Sequence, residues 1–323
     1  MMLGSNPQGK GRILLADALA VAKAATVLRD GGIVAVPTET VYGLAADASN
    51  ASAVAKIYAA KGRPDFNPLI VHVPDLEAAD AIAHFDDRAN ALADRFWPGA
   101  LTLVLPIRAD AKIAPAVTAG LPTIALRCPS HPVMQALLLA SGLVVAAPSA
   151  NRSGGISPTT AMHVADSLGD AAPLIIDAGA CRAGLESTIV ALRNNGWQIL
   201  RPGPISSAHI EAVLGTPPLN ICENGIEARI EAPGQLASHY APNKPVRLNV
   251  ETATPDEWHI GFGAVSGDNN LSANSNLAEA AANLFAELYR ADASDRQAIA
   301  VAPIPTGGIG VAINDRLQRA AAR

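Results

Sequence analysis

The chain has 323 residues, half of them hydrophobic and 16% charged, and carries a formal net charge of −5. A chain of that length has room for about two domains, each with its own core. Asp, Arg, Gly or Pro interrupts every apolar run before the roughly 18 residues of a membrane span, and an acidic chain without a Lys/Arg run lacks the footprint of tight nucleic-acid binding.

The first twelve residues are polar and Gly-rich. Residues 4–10 read G-x-x-x-x-G-K, but Gly11 stands where a phosphate-binding P-loop needs Ser or Thr, and no strand precedes it. From Ile13 the pattern is that of an amphipathic helix, capped by Asp17, running to Arg29 and ended by Gly31-Gly32, unlike a secretory signal. Export is therefore not expected. Cys128, Cys181 and Cys222 are odd in number and far apart, which reads as reduced cytosolic thiols rather than a zinc site, and the expected location is the cytoplasm.

Residues 33–36 make a short buried strand closed by Pro37. Thr38-Glu39-Thr40-Val41-Tyr42-Gly43 follows at its C-terminal end, where α/β sheets place ligand loops; a polar turn over one packed aromatic has the same composition. Residues 50–60 repeat apolar side chains at helical spacing, Pro64 and Pro68 bar continuation, and residues 69–73 have strand composition. Lys61, Arg63 and Asn67 thus fall in a short loop stiffened by two prolines, with His72 on the strand beyond. Two cations at a helix C-terminus also complement its dipole. Their grouping with Asn67 and His72 favours an anionic ligand.

Helix-like residues 75–96 lead to Trp97-Pro98-Gly99 and strands at 101–105 and 122–127, the second placing Thr123, Ala125 and Arg127 on one face. Arg127 there reads as an edge residue reaching for water. Residues 143–147, apolar throughout, form a buried strand that runs into Pro148-Ser149-Ala150-Asn151-Arg152-Ser153-Gly154-Gly155. Such residues make ordinary turns, and their hydroxyls, amide and backbone N–H groups are equally suited to phosphate and ribose. A helix begins near Ser157-Pro158-Thr159, strands occupy 174–177 and 188–192, and 198–200 leads into Arg201-Pro202-Gly203. Spacing alone makes Ser187 and Arg201 turn and edge residues.

Residues 215–245 hold five prolines and no periodicity, as a linker does. Strands at 246–248, 259–263 and 299–301, with helices at about 276–290 and 310–322, form a separate α/β unit. Gly261-Phe262-Gly263 is a turn, since Gly267 comes one residue too late for a dinucleotide fingerprint.

Six blocks, in order, resemble the L-threonylcarbamoyl-AMP synthases built on the YrdC-like domain. They are Pro37-Thr38-Glu39-Thr40-Val41-Tyr42-Gly43-Leu44, Lys61-Gly62-Arg63-Pro64 with Asn67-Pro68-Leu69, Pro148-Ser149-Ala150-Asn151, Leu185-Glu186-Ser187-Thr188, Arg201-Pro202-Gly203 and His239-Tyr240-Ala241-Pro242. The C-terminal remainder resembles the extra domain of the family's long form. Element order and resemblance together point to an α/β fold: an open, twisted mixed sheet with helices over 13–214, a linker over 215–245, and a smaller three-layer α/β domain over 246–323.

The resemblance implies a nucleotidyltransferase that makes L-threonylcarbamoyl-AMP and pyrophosphate from L-threonine, bicarbonate and ATP. A downstream tRNA threonylcarbamoyl transferase then modifies adenosine next to the anticodon. On that likeness Lys61 and Arg63 are catalytic and cover phosphates, and Arg63, Asn67, Thr123, Ser149, Asn151, Ser157, Arg201 and Asn243 hold ATP. Thr38, His72, Arg127 and Ser187 surround threonine, Arg127 taking its carboxylate bidentately. Mg arrives with ATP, held by phosphate oxygens and water, so no protein metal cage is expected. The alternatives are a non-catalytic RNA-binding module on the same fold, which the acidic balance opposes, and a carbamoyl-adenylylating enzyme of metal-cofactor assembly, whose zinc-finger cysteines this chain lacks. The linker departs from the family pattern at Ala232-Pro233-Gly234-Gln235-Leu236-Ala237-Ser238-His239, where many relatives open with Ser-Pro-Gly-Met. Its cluster His239-Tyr240-Ala241-Pro242-Asn243 is expected to fold back over the larger domain's cleft.

Overall fold

The structure, a computed structural model, describes residues 13–219 and 230–322; the P-loop-like residues 4–10 and Cys222 lie outside them. The chain opens with β1 (Ile13–Leu15), α1 (Ala18–Arg29), β2 (Val34–Val36), β3 (Gly43–Asp47), α2 (Ala51–Lys61) and β4 (Ile70–His72). Next come α3 (Leu76–Asp80), α4 (Asp87–Phe96), β5 (Leu101–Pro106), α5 (Pro115–Thr118), β6 (Thr123–Arg127) and α6 (Pro132–Ser141). The larger domain ends with β7 (Val145–Ala146), α7 (Ala161–Leu168), β8 (Leu174–Asp177), β9 (Thr188–Arg193), β10 (Gly196–Arg201) and α8 (Ser207–Leu214).

Ten strands form one mixed sheet in the order β1-β8-β2-β3-β7-β4-β6-β5-β9-β10. Val34 and Val36 pack with Leu28 of α1 and Leu137 of α6, whereas Ala35 between them packs in the cluster that holds Ile57 of α2 and Val164 of α7. Successive strand residues face opposite ways. Both faces of the sheet are therefore apolar and covered by helices, which is why its central strands read as unbroken hydrophobic runs.

Several elements differ from the sequence reading, among them α5, α6 and α8, which it did not contain. Ile13–Leu15 is a strand, paired in parallel with Ile175, Ile176 and Asp177, not the start of a helix. Three apolar residues carry no period, and only a distant partner makes them a strand. Gly43–Asp47 has poor strand propensity yet is held between β2 and β7. Residues 75–96 are two helices, each with its own cap, Asp75 and Asp86 accepting from Ala78 N and Ala89 N.

The smaller domain comprises β11 (Val246–Arg247), β12 (Glu257–Gly261), β13 (Asn269–Asn270), α9 (Leu277–Asp292), β14 (Ala298–Val301) and α10 (Gly310–Ala321). Its four strands are parallel in the order β11-β14-β12-β13. All three expected strands are present, and β13 is added. Val41, Ile156 and Leu185 of the larger domain pack into one apolar cluster with Phe285, Leu288 and Ile313 of the smaller, and Tyr240 joins them. The approach is close: a Cβ on Gly184, whose φ is +68°, would lie 2.4 Å from Ala282 Cα. Gly184→Ala is expected to cost about 1–3 kcal/mol in backbone strain alone, and more through displacement of α9, measured as a lowered denaturant midpoint.

Candidate active site

Helix α2 ends where Gly62 turns left-handed at φ 60°, which leaves Lys61 as its last residue and Arg63 at the head of the following loop. Both side chains are buried. Lys61 Nζ donates to the carbonyl oxygens of Ser149 and Asn151, each at 2.6 Å. Burial, with Arg63 adding to it, holds the ammonium well below its ordinary pKa. Lys61 therefore sits behind the 149–151 turn rather than lining the cavity. Arg63 donates through Nε to Asn67 O at 3.1 Å and through Nη2 to Asn67 Oδ1 at 2.7 Å and Pro68 O at 2.8 Å. Burial pushes its guanidinium down to about 10. Arg201, at the end of β10, donates to Ser187 O from Nε and Nη2 and to Ser187 Oγ at 3.1 Å.

Arg63 and Arg201 line one cavity together with Ser149, Glu186 and Ser187. The 149–155 turn above it is rigid: Ser149 Oγ donates to Asn151 Oδ1 at 2.6 Å, and Asn151 Nδ2 donates to the carbonyls of Arg152 and Gly155, both at 2.8 Å. Ser157 is fully buried and gives its proton to Glu186 Oε1.

Thr38, His72 and Arg127 line the same cavity. Parallel pairing of β4 with β6 sets His72 beside Arg127. Arg127 Nε donates to Gly99 O at 3.1 Å, Nη1 to Thr40 Oγ1 at 2.9 Å, and Nη2 lies 2.7 Å from Glu39 Oε1. This ion pair is poorly aligned for hydrogen bonding, so neither Glu39 oxygen nor Arg127 Nη2 has a well-directed partner among the described residues. Three of the guanidinium's five N–H groups face these neighbours, so a ligand carboxylate would share Arg127 with Glu39. Burial pushes the Glu39 carboxyl up, but the nearby Arg127 charge is the chief influence that outweighs it and holds the carboxyl below its usual range. Thr38 gives its one hydroxyl proton to Val41 O at 2.6 Å, so Thr40 is the donor in the 2.8 Å contact between the two hydroxyls. His72 is buried, burial foremost drives its pKa down to about 3, and its Nδ1 has no hydrogen-bond partner among the described residues.

The linker closes this cavity. Pro233, Gly234, His239 and Tyr240 line it, and a Cβ on Gly234 (φ +89°) would lie 2.7 Å from Arg201 Cδ and 2.8 Å from Tyr240 Oη. The strap is pinned to both domains, by Arg193 on Glu231 at 2.7 Å, by Ala241 N on Gly154 O at 2.8 Å, and by His239 N on Arg319 O at 3.2 Å. The remaining volume is about 40 Å³, far below the roughly 300–1,000 Å³ of a small-molecule site.

Of the residues expected from sequence, Thr38, Arg63, His72, Arg127, Ser149, Ser187 and Arg201 line the cavity, while Lys61, Asn67, Asn151 and Ser157 stand behind its walls. Thr123, half-buried at the start of β6 opposite Pro106, is not among the lining residues. Asn243 is apart from them: its Nδ2 donates to Asp292 Oδ2 at 2.9 Å, beside a separate open groove of about 860 Å³. The sequence reading missed Glu39, Thr40 and Glu186 as site residues, and also Arg316 of α10, which pairs with Glu186 at 2.8 Å. The overlooked signal for Arg316 was a charge on the apolar stripe of Ala312, Ile313, Leu317 and Ala320.

Fold and cavity define an α/β protein with a small pocket between the larger domain and the strap, in which positive charge faces the ligand space. The Sua5–YciO–YrdC family model, described as telomere recombination, matches residues 26–203, and a model described as the threonylcarbamoyl-AMP synthase C-terminal domain matches residues 205–322. The threonylcarbamoyl-AMP synthase of Bacillus subtilis (strain 168) is 41% identical, over 93% of this chain and 92% of its own. That of Pyrococcus abyssi (strain GE5 / Orsay) is 38% identical, over 92% of each. The crystal structure of P. abyssi Sua5 complexed with L-threonine superposes with a TM-score of 0.85 at 34% identity, over 96% of this chain and 97% of that one. The chain belongs to the threonylcarbamoyl-AMP synthase family.

His72 supplies a pH test. Its folded pKa near 3 lies below the ordinary 6.5, so the native state refuses a proton that the unfolded chain accepts. The stability this contributes is complete above about 6.5 and declines as pH falls toward about 3. The His72 ring signals are expected to stay those of neutral imidazole between about pH 8 and 5, and His72→Gln to make the acid loss of stability shallower. A His72 resonance titrating near 6.5 would show a solvated ring instead.

Proposed function

We propose that this protein makes L-threonylcarbamoyl-AMP. The threonine amine adds to bicarbonate with loss of water, giving a carbamate; a carbamate oxygen attacks the α-phosphorus of ATP, and pyrophosphate leaves. The observation that carries the reading is the pair Arg63 and Arg201. Both are buried at one cavity, and their hydrogen-bond partners are carbonyl, amide and hydroxyl oxygens, not carboxylates. Buried positive charge of that kind is stabilised by an anionic ligand. Both reactants are anions, so the protein's task is to offset their repulsion and align oxygen with phosphorus.

In this reading Arg63 and Arg201 take the phosphates, and Lys61 adds positive potential while holding the 149–151 turn that faces them. Asn67 orients Arg63, Asn151 shapes the turn, and Ser149 and Ser157 belong to the nucleotide side. Thr38, His72, Arg127 and Ser187 form the threonine side, with neutral His72 offering its open Nδ1. Thr123 and Asn243, which the family resemblance assigns to ATP, are not among the residues lining the cavity. Mg enters bound to ATP: Glu39 and Glu186 are each engaged by a guanidinium, which leaves phosphate oxygens and water as its ligands. The work is done in the cytoplasm, and the labile adenylate passes to a tRNA threonylcarbamoyl transferase. Such a product needs a dry site. The strap over residues 231–242 supplies one, and the small cavity beneath it implies that the strap opens for substrates and product.

Pyrophosphate release is expected to need threonine and bicarbonate together; equal release without an amino acid would refute the reading. Arg63→Ala and Lys61→Ala should each lower turnover about 100-fold in a folded protein. Arg63→Lys should restore little, because a point charge cannot reproduce the fork. In limited proteolysis, cutting within the strap should slow when ATP and threonine are both present, and identical cutting in all states would make the strap a passive tether.

A further inference from the structure

Arg316 is the most deeply buried charge of the smaller domain, with no exposed surface at all. A guanidinium on the apolar face of a helix is costly unless each of its donors is answered. Its Nε donates to Glu186 Oε2 at 2.8 Å, its Nη2 to Pro202 O at 2.9 Å and its Nη1 to Asp315, while its Cζ lies 5.0 Å from the Tyr240 ring centroid. Glu186 and Pro202 are the chain neighbours of Ser187 and Arg201, the two cavity residues that bind each other. One side chain of the C-terminal domain therefore grips the wall on which both of them stand.

Glu186 is a hazard in that wall. It lines the same cavity as Arg201, and a buried carboxylate beside a guanidinium draws it into an ion pair. Burial pushes the Glu186 carboxyl up, but Arg316 first and Arg201 second hold it below its usual range, so it is ionised. The groups around it are Arg316 of α10, Arg201 of β10, His239 and Tyr240 of the strap, and the Ser157 hydroxyl, with Asp315 holding another nitrogen of Arg316. Among the described residues, Arg316 is the one cation hydrogen-bonded to it. Arg201 instead turns its Nε and Nη2 to Ser187, as an arginine does when a neighbouring carboxylate is already satisfied.

We propose that Arg316 is a positioning residue for nucleotide binding: by engaging Glu186 from behind the cavity wall, it leaves the Arg201 guanidinium available to the phosphates. The proposal rests on the reading of this cavity as the ATP site. It gives the smaller domain a direct part in the chemistry of the larger one, exerted through a single ion pair. Without Arg316, Arg201 is the cation left to answer Glu186, and the phosphates lose a charge-assisted contact.

The test is the affinity for MgATP by titration calorimetry in wild type, Arg316→Met and the double variant Arg316→Met/Glu186→Gln, each shown folded by circular dichroism. Arg316→Met should bind about tenfold more weakly, the loss of one charge-assisted hydrogen bond. The double variant, in which no buried carboxylate competes for Arg201 and glutamine still accepts from Ser157, should return to within about threefold of wild type. A change below threefold in folded Arg316→Met overturns the proposal, as does a double variant weakened as much as the single. If Arg316→Met does not fold, the double variant decides alone, since it removes the carboxylate that the single variant strands: recovery within threefold supports the proposal, and a larger loss refutes it. Wild-type pyrophosphate release is measured alongside. Its failure would remove the assigned reaction, whereas the affinities would still decide the role of Arg316.

Discussion

Burying cations whose hydrogen bonds go to no carboxylate is the constraint to which the rest of the site answers. Lys61, Arg63 and Arg201 are held on carbonyl, amide and hydroxyl oxygens, which orient a charge without neutralising it. Desolvation of that charge is unfavourable, so the surrounding structure has to fix each group from several sides. Gly62 ends a helix one residue after Lys61, two prolines stiffen the loop carrying Arg63, and Asn151 ties the opposing turn into a closed hydrogen-bonded unit. The result is a preorganised positive field, the kind of environment that lowers the barrier when two anions must meet.

The acids around the cavity follow a complementary rule. Glu39 is engaged by Arg127 and Glu186 by Arg316, each pair buried. Two carboxylates are thus answered by Arg127 and Arg316, whereas the hydrogen bonds of Arg63 and Arg201 go to no acid. Replacing a buried pair by apolar residues is often neutral for stability, which leaves charge allocation as the more telling role for these pairs.

Much of this was legible in the sequence, and the exceptions have physical causes. The loop from Lys61 to Asn67 could be read because helix periodicity, prolines and strand composition all change within a few residues, and each is a local signal. The register that sets His72 beside Arg127 could not, since it depends on pairing between strands some fifty residues apart. β1 was lost for the same reason, being three residues long and defined only by β8. Arg316 was hidden more deeply: an arginine on an amphipathic helix ordinarily reaches water, and its partners Glu186 and Pro202 are more than a hundred residues away. Thr123 and Asn243 came from the family resemblance alone, and neither is among the residues that line the cavity.

The apolar cluster shared by the two domains limits how this chain can vary. Val41, Ile156 and Leu185 belong to the larger domain but are covered by α9 and α10 of the smaller, so a version ending after α8 would present those three to water as a sticky patch. Their mutual packing ties the stability of the two domains together, since each covers apolar surface of the other. A single-domain relative on the same sheet therefore needs polar side chains at these three positions. Shortening the chain in evolution means rewriting the loops around the pocket at the same time, because Val41 and Leu185 lie within three residues of Thr38 and Ser187.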